Sequence, residues 1–335
     1  MTIRLGINGF GRIGRDVLRC LVDQPGRPVE VVAVNDVAPA ETLAHLLEHD
    51  STYGRLPERV TAHDSAIEVG DRHIHVFGEH DPARLPWGSL DVDVVIESTG
   101  RFRTRDAAAA HLSAGARKVV ISAPGKNVDA TIVMGINEGV YDPAAHHVVS
   151  NASCTTNCVA PMVRVLHEAF GVRRGLMTTI HSYTNDQSLL DGPHKDLRRA
   201  RSAAVNLIPT STGAARAIGE VIPALAGRLD GVAVRVPVED GSLTDLSVEL
   251  GMPVTAGQVN RAFAEAADGV LKGILRYTEA PIVSRDIIGD PASCVFDASL
   301  TKADDHLAKV FGWYDNEWAY ALRTLDLVEL IGAER

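Results

Sequence analysis

Cysteine, hydroxyl and amide side chains are concentrated at Asn151-Ala-Ser-Cys-Thr-Thr-Asn-Cys158, where the thiol of Cys154 sits between Ser153 and Thr155. The apolar residues that follow, Val159, Met162, Val163 and Leu166, recur at helical spacing and place this thiol at a helix N-terminus. Unpaired N–H groups there favour a thiolate, and they can also hold an oxyanion or a phosphate. The chemistry on offer is covalent catalysis by sulfur beside an anion site. A buried structural cysteine fits the same local pattern, so the segment alone leaves both readings open.

A second constellation is Gly9-Phe-Gly11-Arg-Ile-Gly14. It follows a strand pattern at 3–8 and opens a helical pattern at 12–22. In that setting the first glycine permits a tight turn, the second lets a pyrophosphate reach the backbone, and the third lets helix and strand pack closely. Asp36 closes the next strand pattern at the distance expected of a ribose-binding acid, which favours NAD over NADP. An Asp in a strand–helix loop also serves as an ordinary N-cap. Glu97-Ser-Thr-Gly100 and Ser122-Ala-Pro-Gly125 end further apolar strands, where turn chemistry alone would account for them.

The elements that must carry these residues fall into two textures. Up to about residue 150, strand patterns at 3–8, 29–35, 92–97, 118–122, 131–134 and 147–150 alternate with helices at 12–22, 40–48 and 105–114. That alternation predicts an α/β Rossmann-type, doubly wound dinucleotide-binding domain. Beyond Cys154 a helix at 155–170 leads into a β-rich run at 176–181 and a long polar loop at 185–206. Strands follow near 232–238, 243–250, 293–297 and 308–313, with a helix near 259–267. This predicts an α+β domain with a mixed or antiparallel sheet. The expected division is 1–153 for the cofactor and 154–316 for catalysis, with a C-terminal helix at 317–335 returning to the first domain.

Composition narrows the classes. The 335 residues carry a net charge of −10, which argues against binding driven by nucleic-acid phosphates. Four cysteines in a chain of this length do not make a disulfide framework, and no ligand spacing suggests a structural metal. No segment has the apolar length of a membrane span, and no signal-like segment opens the chain, so a cytoplasmic protein is expected.

Taken together, Asn8-Gly-Phe-Gly-Arg-Ile-Gly14, Ser150-Asn-Ala-Ser-Cys-Thr-Thr-Asn-Cys158, Pro209-Thr-Ser-Thr-Gly-Ala-Ala215 and Trp313-Tyr-Asp-Asn-Glu-Trp318 resemble the phosphorylating glyceraldehyde-3-phosphate dehydrogenase family, in the same order along essentially the whole chain. The resemblance implies oxidative phosphorylation of glyceraldehyde 3-phosphate with NAD and inorganic phosphate. It implies Cys154 as nucleophile and His181 as its base, through a hemithioacetal and a thioester, with a thiolate–imidazolium pair at neutral pH. Of thirteen histidines, the sequence pattern alone does not select His181.

The same resemblance implies Thr184 and Arg235 for the substrate phosphate. Ser153, Thr155, Arg199, Thr212 and Gly213 would line the inorganic-phosphate side. For NAD it implies Gly9, Gly11, Arg12, Ile13, Gly14, Asp36, His80, Thr99, Ser122, Asn316 and Tyr320. A homotetramer is implied as well, with the loop 185–206 between subunits. Three places depart from the family pattern: Ala319-Tyr-Ala-Leu-Arg323, His80, and Glu239-Asp-Gly-Ser242. The alternatives are an erythrose-4-phosphate dehydrogenase, a drifted and inhibitor-resistant second copy, and a non-catalytic NAD-binding protein.

Overall fold

A computed structural model describes residues 2–333, so residues 334 and 335 of the expected C-terminal helix lie outside the described residues. The chain forms two compact units. One runs to Ile132 and includes Gly139–Ala152 and the chain from Ala321. The other comprises Val133–Glu138 and Ser153–Tyr320.

The first unit is built from β1 (Ile3–Asn8), α1 (Arg12–Asp23), β2 (Val29–Asn35), α2 (Ala40–Glu48) and a small hairpin of β3 (His49–Asp50) and β4 (Gly54–Arg55). Then come β5 (Val60–His63), β6 (Ala66–Val69), β7 (Arg72–Phe77), β8 (Val94–Glu97) and the one-turn helices α3 (Arg105–Ala108) and α4 (Ala110–Ser113). The strands β9 (Lys118–Ile121), β10 (Ala130–Thr131) and β11 (Val148–Ser150) complete it. Nine strands form one sheet in the order β10-β11-β9-β8-β1-β2-β7-β6-β5. It is parallel from β10 to β7. The β5–β6–β7 meander adds an antiparallel edge. Every residue of β8 and β9 is buried, as a parallel sheet covered on both faces requires.

The sequence pattern misses β5 to β7 because their solvent-facing positions carry His, Arg, Glu and Thr, which dilute the apolar signal. The strand expected at 131–134 ends at Thr131. Asn137 Oδ1 accepts from Val133 N at 2.8 Å and Gly135 takes φ +80°, so the chain turns there.

The second unit begins with α5 (Cys154–Phe170) and β12 (Val172–Ser182). It continues through β13 (Ile208–Ser211), α6 (Ala214–Val221), β14 (Leu229–Val236), β15 (Ser242–Leu250), α7 (Ala256–Asp268), β16 (Leu275–Thr278), β17 (Cys294–Asp297), β18 (Lys302–Asp304) and β19 (Leu307–Tyr314). Its eight-stranded sheet runs β13-β14-β12-β15-β19-β17-β16, with β18 beside β19. β12–β14 and β16–β17 are parallel and the other pairs antiparallel, so the sheet is mixed. Strict alternation of buried and half-buried residues along β15 marks a sheet with one face on the core. The sequence pattern misses β13, α6 and β16, which are too short for their period to stand out.

The last helix, α8 (Trp318–Gly332), belongs to the first unit from Ala321 onward. There Arg27 donates to Asp326 and Glu329, each at 2.8 Å. Among the described residues no helix is long and apolar enough to cross a membrane. All four cysteines are free thiols.

Candidate active site

Cys154 is the first residue of α5, and local chemistry puts it there. Ser153 is the N-cap, in extended conformation, and its Oγ accepts from Thr156 N at 3.0 Å. Ala152 precedes it with φ +56°, an unusual conformation for a residue with a Cβ, costing about 1–2 kcal/mol. The turn thus stores strain immediately before the nucleophile candidate. Ser153 is therefore a helix cap whatever else it binds. Thr155, also expected beside a phosphate, is buried, and its Oγ1 lies 2.8 Å from the Tyr314 hydroxyl. Both its N–H and its hydroxyl act on the Cys154 sulfur, favouring the thiolate.

His181 reaches the thiol from the sheet. It sits near the end of β12, with Nε2 3.5 Å from Cys154 Sγ and Nδ1 2.7 Å from the Ser182 carbonyl. The ring packs edge-on against Tyr314, itself bonded to Thr179 Oγ1 at 2.8 Å. In the parallel β12–β14 register Arg235 is the direct partner of His181. Its Nη1 touches His181 Nδ1 and donates to the Ser182 carbonyl at 3.1 Å. A proton on Nδ1 directed at the Ser182 carbonyl leaves Nε2 as the acceptor facing sulfur, whereas the Arg235 contact, from a group that only donates, favours the opposite tautomer.

Burial works against both members of the expected ion pair. Burial pushes the Cys154 thiol up to about 11, against the pull of Arg235 and Thr155. Burial, together with the adjacent Arg235 cation, lowers His181 to about 3. The cause is desolvation, which penalises both charged forms and leaves no trace in the order of residues.

Around this pair lie two arginines. Arg235 is largely buried, and its Nε has no hydrogen-bond partner among the described residues, so the guanidinium has capacity left for an anion. Arg199 donates from Nε to Thr210 Oγ1 (2.9 Å), from Nη1 to Asp186 (2.5 Å) and from Nη2 to the Ser211 carbonyl (3.2 Å). It therefore lies across β13, next to Thr212 and Gly213. Gly213 is exposed at the start of α6, with nothing near where a Cβ would stand.

Thr184 donates its hydroxyl to Asp186. Asp186 is the functional-site candidate that sequence reasoning missed. It ties Thr184 to Arg199, and both arginines hold its carboxyl down although burial alone would raise it. The available signal was Thr184-Asn-Asp186, an acid two residues from a predicted phosphate ligand.

Asn316 is buried, and its Oδ1 accepts from Ser182 Oγ at 2.8 Å and Ser242 Oγ at 2.6 Å. Asp240 accepts from its backbone N–H at 3.3 Å. The departing segment Glu239–Ser242 thus supplies two of the groups that orient Asn316. Tyr320 is buried, close enough to Cys154 for a thiolate to raise its phenol further. Ala319, Ala321 and Leu322 are buried apolar residues and offer no polar atom beyond their backbone.

In the first unit a pocket lies at the carboxyl ends of the strands, lined by Asn8, Gly9, Gly11, Asn35, Asp36, Val37, Glu79, His80, Ser98, Thr99 and Arg101. Of the residues expected at NAD, Gly9, Gly11, Asp36, His80 and Thr99 line it. Arg12, Ile13, Gly14 and Ser122 do not. The Arg12 side chain turns to Asp50 and the Tyr53 ring, so its backbone is the part left for a pyrophosphate. Ser122 Oγ donates to the Glu97 carbonyl at 3.2 Å.

The pocket suits a dinucleotide. Gly9 takes φ +94°, and a Cβ on Gly14 would come within 2.3 Å of the Gly9 carbonyl, so the turn and the helix contact both need glycine. At Gly11, the N-cap of α1, no side chain caps the helix, and a Cβ would meet nothing within 4 Å. That is a cradle for phosphate oxygens. Asp36 accepts from Phe10 N at 2.9 Å and Ala38 N at 3.1 Å, which fixes its carboxylate at the pocket wall.

Residues 3–105 match the family model described as glyceraldehyde 3-phosphate dehydrogenase, NAD binding domain, and residues 153–316 match that of the C-terminal domain. Over full length the chain is similar to glyceraldehyde-3-phosphate dehydrogenase 1 of Streptomyces avermitilis, at 57% identity over 332 residues and 99% of both chains. The glyceraldehyde-3-phosphate dehydrogenase of Streptomyces coelicolor is 59% identical over 334 residues, again 99% of both. That of Geobacillus stearothermophilus is 55% identical over 335 residues, 100% of this chain and 99% of its own.

Proposed function

The chain belongs to the glyceraldehyde-3-phosphate dehydrogenase family, and on that premise we propose that Cys154 and His181 perform the NAD-dependent oxidation of glyceraldehyde 3-phosphate to an acyl phosphate. The observation that carries this reading is the 3.5 Å contact of His181 Nε2 with a thiol at a helix N-terminus, flanked by two arginines.

His181 Nε2 takes the Sγ proton as sulfur attacks the aldehyde carbon, and passes it to the former carbonyl oxygen, giving a neutral hemithioacetal. NAD, when bound, supplies the hydride acceptor. As the carbon is oxidised, Nε2 accepts the hydroxyl proton and a thioester to Cys154 remains. Inorganic phosphate then attacks the thioester carbon, the C–S bond breaks, and Nε2 returns its proton to sulfur. The Cys154 N–H at the start of α5 is the one left to stabilise the oxyanion in both additions, since those of Thr155 and Thr156 serve the sulfur and the cap.

Arg235 and Thr184 hold the phosphate of the aldehyde, and Asp186 orients Thr184 and Arg199 from behind. Arg199, Thr212 and Gly213 receive the inorganic phosphate, and Ser153 contributes its hydroxyl hydrogen. Thr155 acts on the sulfur. Asn316 presents its Nδ2 to the cofactor amide, because two hydroxyls already claim Oδ1. Gly9, Gly11, the backbone of Arg12, Asp36, His80 and Thr99 form the dinucleotide pocket. Residues 1–153 serve the cofactor and 154–316 the substrate.

We further infer a cytoplasmic homotetramer. The largely exposed Leu189, Leu190, Leu197, Val205 and Leu207 of the loop after Thr184 support burial of that loop against other copies. Initial rates with glyceraldehyde 3-phosphate and erythrose 4-phosphate, each with NAD or NADP and with or without phosphate, test the reading. A higher kcat/KM for the glyceraldehyde, dependent on phosphate and on NAD, is expected. A preference for the erythrose sugar without phosphate dependence would overturn it.

A further inference from the structure

Beneath the dinucleotide pocket lies a chain of buried side chains that no step above uses. Trp87 Nε1 donates to His111 Nδ1 at 3.0 Å, and His111 Nε2 stands 3.0 Å from Glu97 Oε2. Asn8 Nδ2 donates to the same Oε2 at 2.5 Å. Asn35 Nδ2 donates to Asn8 Oδ1 at 2.7 Å and to the Glu79 carbonyl at 2.9 Å, while Asn35 Oδ1 accepts from Glu79 N at 2.8 Å. The other carboxylate oxygen, Oε1, accepts from Thr99 N at 2.9 Å and from the Thr99 hydroxyl. Trp87 and His111 are fully buried, and Glu97, Asn8 and Asn35 nearly so.

An indole N–H is a donor only, so His111 Nδ1 accepts and its proton resides on Nε2, which donates to Glu97. Glu97 therefore gathers four donors from three residues, His111, Asn8 and Thr99. The relay crosses the ends of β8, β1 and β2 and the turn after β7, which are neighbours in the sheet in that order. Those same ends present Asn8, Asn35, Glu79 and Thr99 to the pocket.

We propose that Glu97, with His111 behind it, is a positioning residue for the dinucleotide, holding the pocket's three backbone segments in register from below through one buried carboxylate. The inference rests on assigning this pocket to NAD. Glu97 touches no ligand. It fixes Thr99, the Gly9 turn through Asn8, and the Glu79–His80 turn through Asn35. Every bond to a carboxylate is charge-assisted, so neutralising it weakens all four together.

The test uses the full-length enzyme. Glu97→Gln should raise the NAD dissociation constant about tenfold or more, with kcat at saturating NAD within about twofold of wild type. His111 lies outside the pocket lining, so His111→Leu acts on NAD only through Glu97 and should weaken it likewise. His111→Gln keeps an N–H for Glu97 and should restore affinity. Should Glu97→Gln fail to fold, the His111 pair decides. NAD affinity within twofold of wild type in Glu97→Gln and His111→Leu would overturn the proposal. So would an equal loss of kcat and affinity, the mark of general structural damage. Asp36→Ala separates the two readings. If it leaves NAD affinity unchanged, the pocket assignment fails. If it weakens NAD while Glu97→Gln does not, only the role of Glu97 fails.

Discussion

Replacing His181 by Asn removes the group facing sulfur and keeps much of what holds the residue. The Asn amide can still donate to the Ser182 carbonyl, which His181 Nδ1 reaches at 2.7 Å, but it ends short of the thiol that Nε2 approaches at 3.5 Å. Lost with it are the acceptor for the Sγ proton and the acceptor for the hemithioacetal proton. A positioned general base contributes about 10²- to 10⁴-fold. With the thiol pushed up to about 11 by burial, unassisted ionisation near neutral pH cannot substitute, and the loss should fall in the upper half of that range. An expected loss of about 10³-fold in kcat/KM corresponds to about 4 kcal/mol of transition-state stabilisation.

Steady-state NADH formation measures the loss. Single-turnover kinetics with aldehyde deuterated at C1 should show a larger isotope effect than wild type, because proton removal and carbon oxidation now limit together. NAD affinity should not change. A loss below tenfold, or an unchanged isotope effect with weakened NAD binding, would refute the assignment of the base.

Three other outcomes follow from the geometry. Because burial raises Cys154 to about 11 and lowers His181 to about 3, neither group titrates between pH 6 and 9; with His181 as the base, kcat/KM for the aldehyde should stay flat across that window, and a steady climb through it would contradict attack from a neutral thiol–imidazole pair. Arg199→Ala should raise the KM for inorganic phosphate about tenfold or more while changing the aldehyde KM little, since its guanidinium spans Asp186, Thr210 and Ser211 on the side of Thr212. Asp186→Asn removes the carboxylate that orders Thr184 and Arg199. It should cost about tenfold in kcat/KM for the phosphorylated aldehyde and little for unphosphorylated glyceraldehyde, which substrate comparison will show.

Much of the scaffold was legible because periodicity survives where an element is long or buried on both faces. β1, β2 and α2 begin and end where the apolar pattern does, and α5 starts within one residue of its expected position. The antiparallel edge β5–β7 was not legible, since its exposed face is polar and its strands are short. At the site, Cys154 announces itself through its helix start. His181 and Arg235 lie 54 residues apart and meet only because β12 and β14 pair in parallel, a register no local pattern encodes. Asp186 was hidden by its ordinary loop context. The protonation states were hidden more deeply, because they depend on burial from all sides. Thr155 shows the same limit: the family resemblance placed it beside a phosphate, and only the fold brings Tyr314 to its hydroxyl as well.

The central claim is that the substrate's carbon is carried on Cys154. Enzyme mixed with NAD and glyceraldehyde 3-phosphate in the absence of inorganic phosphate, quenched in acid and digested, should yield one acylated peptide containing Cys154. Added phosphate should discharge it. An NADH burst without an adduct on Cys154, or with the adduct on Cys158 or Cys294, would contradict the account.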